Sequence, residues 1–366
     1  MCKSARKLRT LGNAVRIVVI GPVWLAQLFT GAKSFADNPI LGCPAFNRRG
    51  LHAARVSVAH WFARARRGRL SHLISQGARE AFDRQGFVAR PGFLRTAEFD
   101  QMVAEVKRFR GAGRETVQGD AITRRIALNP AALRRMPSLK KLVASAEFQG
   151  LIRYAGSFDA EPMLYLQTVL TKARIGAPDP QLTLHADAFH PTVKAWLFLT
   201  DVKADAAAFT FVPGSHRLTP ERLAWEHRMS IGASRSSDPL TRRGSFRIDP
   251  GELNSLNLPQ PMAFDVSANT LVVADTFGFH ARGPSTTPSF RVEVWAYGRH
   301  NPFMLWPRLF LWNIPVLRRW QADLFWTLGD LAEAIGLRRN VWRACRKVSA
   351  FDGEPPCGPP DPELRI

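Results

Sequence analysis

Four short runs constrain the fold more than any other feature of the chain: Leu164–Leu170, Ala195–Leu199, Thr270–Ala274 and Phe290–Trp295. Each is rich in β-branched, aromatic or aliphatic residues and is bounded by turn residues, the pattern of a short strand. Strands of this length and spacing build a sandwich or jelly roll. Before them, Phe82, Phe87 and Val88 lead into Arg90-Pro91-Gly92-Phe93-Leu94, and a helix is expected over Thr96–Phe109. The globular domain is therefore placed at 75–300. This agrees with the size of single all-β domains, about 200–250 residues.

Three segments lie outside that pattern. The stretch 218–262 is polar, Arg- and Ser-containing and without strand alternation, so it reads as a long loop that is either a functional lid or disordered. Residues 1–74 combine a basic leader with the uncharged run Ile17–Ala32 and the segment Leu51–Leu70, which has the look of a basic amphipathic helix, either interfacial or an ordinary helix with solvated arginines. The uncharged run is short for a spanning helix and contains Gly21 and Pro22. An interfacial anchor, a signal sequence with small residues at Ser34-Phe35-Ala36, and a spanning or core helix all fit it. The tail 301–366 holds five of the ten tryptophans. Leu317, Trp320, Leu324, Leu328, Leu331 and Ile335 recur there at helical steps, giving an amphipathic helix.

The net charge of +21 admits a nucleic acid or an anionic membrane as partner. Residues 1–70 carry 13 Lys and Arg against one acid, Asp37, and the basic residues are interleaved with Trp and Val. That favours a membrane surface, and no nucleic-acid module is recognisable. Cys2, Cys43, Cys345 and Cys357 never approach zinc-site spacing and read as free thiols, with terminal disulfides of unassigned pairing as the alternative. Oligomeric state is not legible.

The chemistry is carried by His185-Ala186-Asp187, the distant His280, and Arg291 on the last strand. Two imidazoles and one carboxylate on one face of iron(II) leave positions open for a bidentate oxoacid and dioxygen. An arginine on a neighbouring strand can pair with a carboxylate through its planar fork. Lys172 and Arg282 are the alternative anchors, and His190, His216 and Asp275 read as loop or supporting residues.

These segments resemble the phytanoyl-CoA dioxygenase superfamily. The resemblance rests on Gly86-Phe87-Val88, Pro91-Gly92-Phe93-Leu94, Leu184-His185-Ala186-Asp187, Lys194-Ala195-Trp196, Phe211-Val212-Pro213-Gly214-Ser215-His216, and His280 through Arg291. It implies a double-stranded β-helix with flanking helices, and His185, Asp187 and His280 as iron ligands. It further implies Arg291 on the distal carboxylate of 2-oxoglutarate, and Trp196 lining that pocket. The stretch Asp205-Ala206-Ala207-Ala208 departs from the glycine-rich turn of relatives. A carboxylate at 187 favours hydroxylation over halogenation. With its basic leader and Trp-rich tail the chain is also similar to bacterial Kdo hydroxylases. That implies a lipid-linked sugar as acceptor, at the cytoplasmic face of the inner membrane. Alternatives are an acyl-chain or small-metabolite hydroxylase, soluble in the cytoplasm, and a non-catalytic membrane-binding protein with a retained barrel.

Overall fold

The computed structural model describes residues 20–305, 314, 317, 319–337 and 339–353. The basic leader, Cys2, Trp306, Trp312, Pro315 and Cys357 lie outside the described residues. The strands are β1 Phe87–Arg90, β2 Gly111–Gln118, β3 Ala121–Ala127, β4 Met163–Thr171, β5 Val193–Phe198 and β6 Phe209–Phe211. They continue with β7 Met262–Ala263, β8 Leu271–Asp275, β9 His280–Arg282, β10 Ser289–Gly298 and β11 Arg343–Val348. All four expected strands are present, as β4, β5, β8 and β10. The eight-stranded sheet runs β1-β8-β5-β10-β4-β3-β2-β11, and the three-stranded sheet runs β7-β6-β9. The result is a mainly β, jelly-roll core flanked by helices.

Side-chain alternation assigns the two faces of the large sheet. On β10, Val292, Val294 and Ala296 enter a core shared with flanking helices, where they meet Phe82, Met102, Phe148 and Ile152. Trp295, from the opposite set, joins Tyr165, Trp196, Phe198, Phe209, Phe211 and Phe264 between the sheets. Strands β2 and β3 are joined by the two-residue turn Gly119-Asp120, with Gln118 opposite Ala121. Their charges hide the strand pattern in the sequence. Glu115 and Arg124 are both buried and paired at 2.7 Å, on the sheet and not in solvent.

The segment 218–262 is neither a free lid nor an unstructured loop. It contains the helix Pro220–Gly232, capped by Thr219 with Pro220 in its first turn, and the short helix Pro239–Arg242. Trp225, Phe246, Ile248, Leu253 and Leu256 form a satellite core with Leu184 and Phe279. The polar look of the sequence arises because Arg222 and Glu226 pair internally at 3.0 Å, with Arg222 also lying over the Phe279 ring at 3.8 Å.

The basic helix Leu51–Leu70 is likewise not a solvated or purely interfacial element. Arg55 donates to the carbonyls of Leu28, Thr30 and Ala32 (2.8–2.9 Å). Arg66 donates to Ser157, Pro302 and Met304, while Arg67 reaches Ala155 and the Asp275 carboxylate at 2.7 Å. These guanidinium groups saturate loop carbonyls and fasten the N-terminal segment to the barrel.

The tail departs from the helical expectation in two ways. Its residues 343–348 form β11, which pairs with β2. In the helix Gln321–Ala334 the buried residues are Ala322 and Trp326, while Leu328, Leu331 and Ile335 of the expected seam point outward. Cys43 is a free thiol, but Cys345 is disulfide-bonded, so the free-thiol expectation fails there. No helix among the described residues is long and apolar enough to cross a membrane.

Several histidines are buried as neutral rings. Burial, with Arg67 nearby, pulls His216 down to about 3 and His60 well below its ordinary 6.5. Burial and Arg66 bring His300 to about 4, and burial and Arg299 lower His190. The unfolded chain binds these protons near pH 6.5 and the native fold refuses them. Stability is therefore full above about pH 6.5 and falls as pH drops below it. Denaturant titrations between pH 7.5 and 5 should show the midpoint falling steadily. A flat profile over that window would mean these rings are not neutral in the fold.

Candidate metal centre and cosubstrate pocket

The metal-ligand set is brought together by backbone pairing. His185 N donates to the His280 carbonyl (2.9 Å) and His280 N donates back to His185 (3.0 Å). This bridge adds the His185 segment to the small sheet beside β9. Asp187 N donates to the Thr276 carbonyl at 2.9 Å, fixing the third residue to the turn before β9. That turn is held in place by Asp275, whose carboxylate accepts from Arg67, Thr192 N and Phe277 N.

One atom each from His185, Asp187 and His280 lies within 4.8 Å of the other two. The Nε2 atoms are 3.8 and 3.6 Å from Asp187 Oδ1. Each Nδ1 faces a carbonyl, Thr183 for His185 (2.8 Å) and Gly278 for His280 (2.9 Å). A carbonyl only accepts, so Nδ1 carries the proton and Nε2 presents a lone pair. Burial, then the neighbouring His280, hold His185 well below its ordinary value. Burial alone would raise Asp187, but Lys194 and His280 keep it well below the carboxylate range. Two imidazoles turned by their Nδ1 atoms toward carbonyls and an ionised carboxylate converging in this way fit a divalent iron ion.

The set opens into a cavity of about 750 Å³. Trp196 lines it and packs on Phe209 with ring centroids 4.2 Å apart. Arg291 also lines it and is the end of a polar relay across three strands. Arg125 Nε donates to Gln167 Oε1 (2.7 Å), Gln167 donates to Glu293, and Glu293 lies 3.2 Å from Arg291 Nε. Arg291 Nη1 also donates to the Ala207 carbonyl, so the guanidinium is held at the cavity wall by backbone on one side and Glu293 on the other. Ala207 itself has φ +55°, so an alanine takes the left-handed turn position that favours glycine. Of the alternative anchors, Lys172 bonds the Thr286 carbonyl and does not line the cavity, and Arg282 is ion-paired with Asp179. His190 and His216 are buried away from the metal set, and Asp275 orients a loop.

Sequence reasoning did not find Glu293, Gln167 and Arg125. The signal was present for Glu293, two residues from Arg291 and so on the same face of a strand. It also missed two cations that line the cavity, Lys33 and Arg299. Lys33 gets there because Gly244, at φ +79°, lets the backbone pass so close that an added Cβ would lie 2.1 Å from the Lys33 carbonyl. Burial, then Arg299, lower the Lys33 ammonium to about 7.

Replacing Arg291 by Lys keeps the charge but loses the planar fork. Loss of a charge-assisted contact costs about 1.5–3 kcal/mol, so the Michaelis constant for 2-oxoglutarate should rise roughly ten- to 150-fold. Iron content by elemental analysis should stay as in the parent. Unchanged cosubstrate affinity would move the anchor to Arg282.

A family model described as Phytanoyl-CoA dioxygenase (PhyH) matches residues 82–250. No curated protein matches the chain. Among solved structures, similarity is found to the epimerase SnoN in complex with Fe3+, alpha ketoglutarate and nogalamycin RO. Identity is 19%, over 63% of this chain and 83% of that one, with a TM-score of 0.38. The non-heme alpha ketoglutarate dependent carbocyclase SnoK from nogalamycin biosynthesis is 23% identical over 62% and 84%, TM-score 0.38. HygX from Streptomyces hygroscopicus with nickel and 2-oxoglutarate bound is 18% identical over 62% and 87%, TM-score 0.37. Similarity at this level says nothing about the acceptor. The family match over 82–250 takes in His185 and Asp187, His280 completes the ligand set, and the centre is that of an iron- and 2-oxoglutarate-dependent dioxygenase.

Proposed function

We propose that this dioxygenase hydroxylates a lipid-linked acceptor presented at an anionic membrane surface, with the Kdo sugar of Kdo-lipid A as first candidate. The observation that carries this reading is the rim of the cavity. Phe325 and Val341 line the cavity yet are 56% and 38% exposed. Leu328, Leu331 and Ile335 continue the exposed apolar surface along the same helical segment. On the N-terminal side Val23, Leu25 and Phe29 are also exposed, and the Phe29 carbonyl accepts from Asn301, another cavity residue. Contiguous exposed apolar surface marks an interaction site, and beside basic residues it suits a lipid interface. The cytoplasmic face of the inner membrane is the proposed location, because 2-oxoglutarate and reduced iron are supplied there.

When bound, iron with 2-oxoglutarate supplies the oxidising chemistry. The chain's own residues do the rest. His185, Asp187 and His280 hold one face of the site, and Arg291 orients the cosubstrate. The aromatic wall of Trp196, Phe209 and Trp295 limits water. A soluble acyl-chain or small-metabolite hydroxylase is the second reading. It is favoured by the internal use of Arg55, Arg66 and Arg67, which removes those charges from any membrane-facing surface.

Protein supplied with iron(II), 2-oxoglutarate and Kdo-lipid A should add one oxygen to the sugar, seen by mass spectrometry. His185→Ala, Asp187→Ala and His280→Ala should each lose iron and turnover while keeping the native circular dichroism spectrum. Leu328→Ser/Leu331→Ser should sediment with anionic vesicles several-fold less than the parent. Oxidation of soluble sugars or acids but not of lipid-linked ones, with equal vesicle binding by both proteins, would sink the membrane reading.

A further inference from the structure

The cavity is far more cationic than one cosubstrate requires. Lys33, Arg125, Lys194, Arg282, Arg291 and Arg299 all line it, against the single lining carboxylate of Asp187. Arg291, Arg282 and Lys194 have carboxylate partners in Glu293, Asp179 and Asp187. Arg125 donates to Gln167 and lies over the Trp295 ring at 3.8 Å. Lys33 and Arg299 differ from these four. Among the described residues neither has a carboxylate within ion-pair distance; Lys33 spends a donor on the Asp187 carbonyl, and Arg299 donates to the Gly31 carbonyl and hydrogen-bonds the Tyr297 side chain. An ammonium has three donors and a guanidinium five, so most of their capacity remains for a ligand.

Cosubstrate does not account for them. Arg291 lies near one end of β10 and Arg299 just past the other. Eight residues of extended backbone place their Cα atoms about 26 Å apart, so the two guanidinium groups enter the cavity from opposite ends of the strand. The metal set lies toward the Arg299 end, since Lys194, opposite Tyr297, places Nζ 2.6 Å from Asp187 Oδ2.

Resting on the reading of this site as a dioxygenase for a sugar-bearing acceptor, we propose that Lys33 and Arg299 form a second anion subsite that holds a carboxylate or phosphate of the acceptor beside the metal centre. The subsite fixes which carbon faces the metal, because an acceptor pinned by its anion and confined by the Trp342 and Phe325 side of the cavity has one orientation. An N-terminal segment thus supplies half of acceptor recognition, and the loop after β10 the other half.

Binding without turnover tests this. Iron-loaded full-length protein saturated with 2-oxoglutarate in the absence of oxygen is titrated with free Kdo, a sugar carboxylate, and separately with glucosamine 1-phosphate. Lys33→Gln and Arg299→Gln should each weaken the anion that binds by roughly tenfold or more, the scale of one charge-assisted contact. Arg299→Lys should restore part of the loss, and 2-oxoglutarate affinity of Arg299→Gln should equal that of the parent. Binding of glucosamine 1-phosphate in place of Kdo would keep the subsite and overturn the Kdo assignment. The subsite is overturned if neither anion binds the parent, if both variants bind as the parent does, or if Arg299→Gln loses affinity for 2-oxoglutarate instead.

Discussion

The reciprocal backbone hydrogen bonds between His185 and His280 are the constraint on which the site depends. They join two segments far apart in sequence, and they do so before any side chain is considered. Once that bridge forms, both Nδ1 atoms find carbonyls two residues back in their own chains, and both Nε2 atoms must face the same point. Asp187 is then tied to Thr276, and Asp275 to Arg67 of the N-terminal helix. The metal site is thus a property of the small sheet's edge, steadied from outside the barrel.

Charge in this chain is used mainly as internal fastening. Arg55, Arg66, Arg124 and Arg222 are buried, and they meet carbonyls or carboxylates and not water. Burying a guanidinium is tolerable only when its donors are satisfied, and here loop carbonyls that strands and helices leave unpaired take that role. Composition alone suggested an adhesive surface. The fold shows that part of the same charge holds its own loops down.

This explains which parts were legible. Strands β4, β5, β8 and β10 were readable because β-branched, aromatic and aliphatic residues dominate them, with single polar residues such as Gln167, Arg291 and Glu293 falling between apolar ones. The metal residues were readable because their types and order are chemically demanding. Strands β2 and β3 were not, because Arg114, Glu115, Arg124 and Arg125 imitate a solvent-facing segment until partners across the sheet are known. The helix of the 218–262 segment was hidden by its Arg222–Glu226 pair in the same way. The tail helix misled differently: its apolar stripe is real, but Ala322 and Trp326 face the protein and the stripe faces out. Lys33 could not be found by any local pattern, since only the close passage at Gly244 brings it to the cavity.

The pairing of β11 with β2 has a consequence for the order of events during synthesis. β2 and β3 can form as a hairpin as soon as they emerge, yet the free edge of β2 has no partner until residues 343–348 are made. At about 5–20 residues per second, that edge waits on the order of 10–50 s. An unpaired strand edge is a template for association with other chains. The nascent protein therefore passes through a period in which β2 is the outer strand of the sheet, until the late-made β11 covers it and takes the edge position itself.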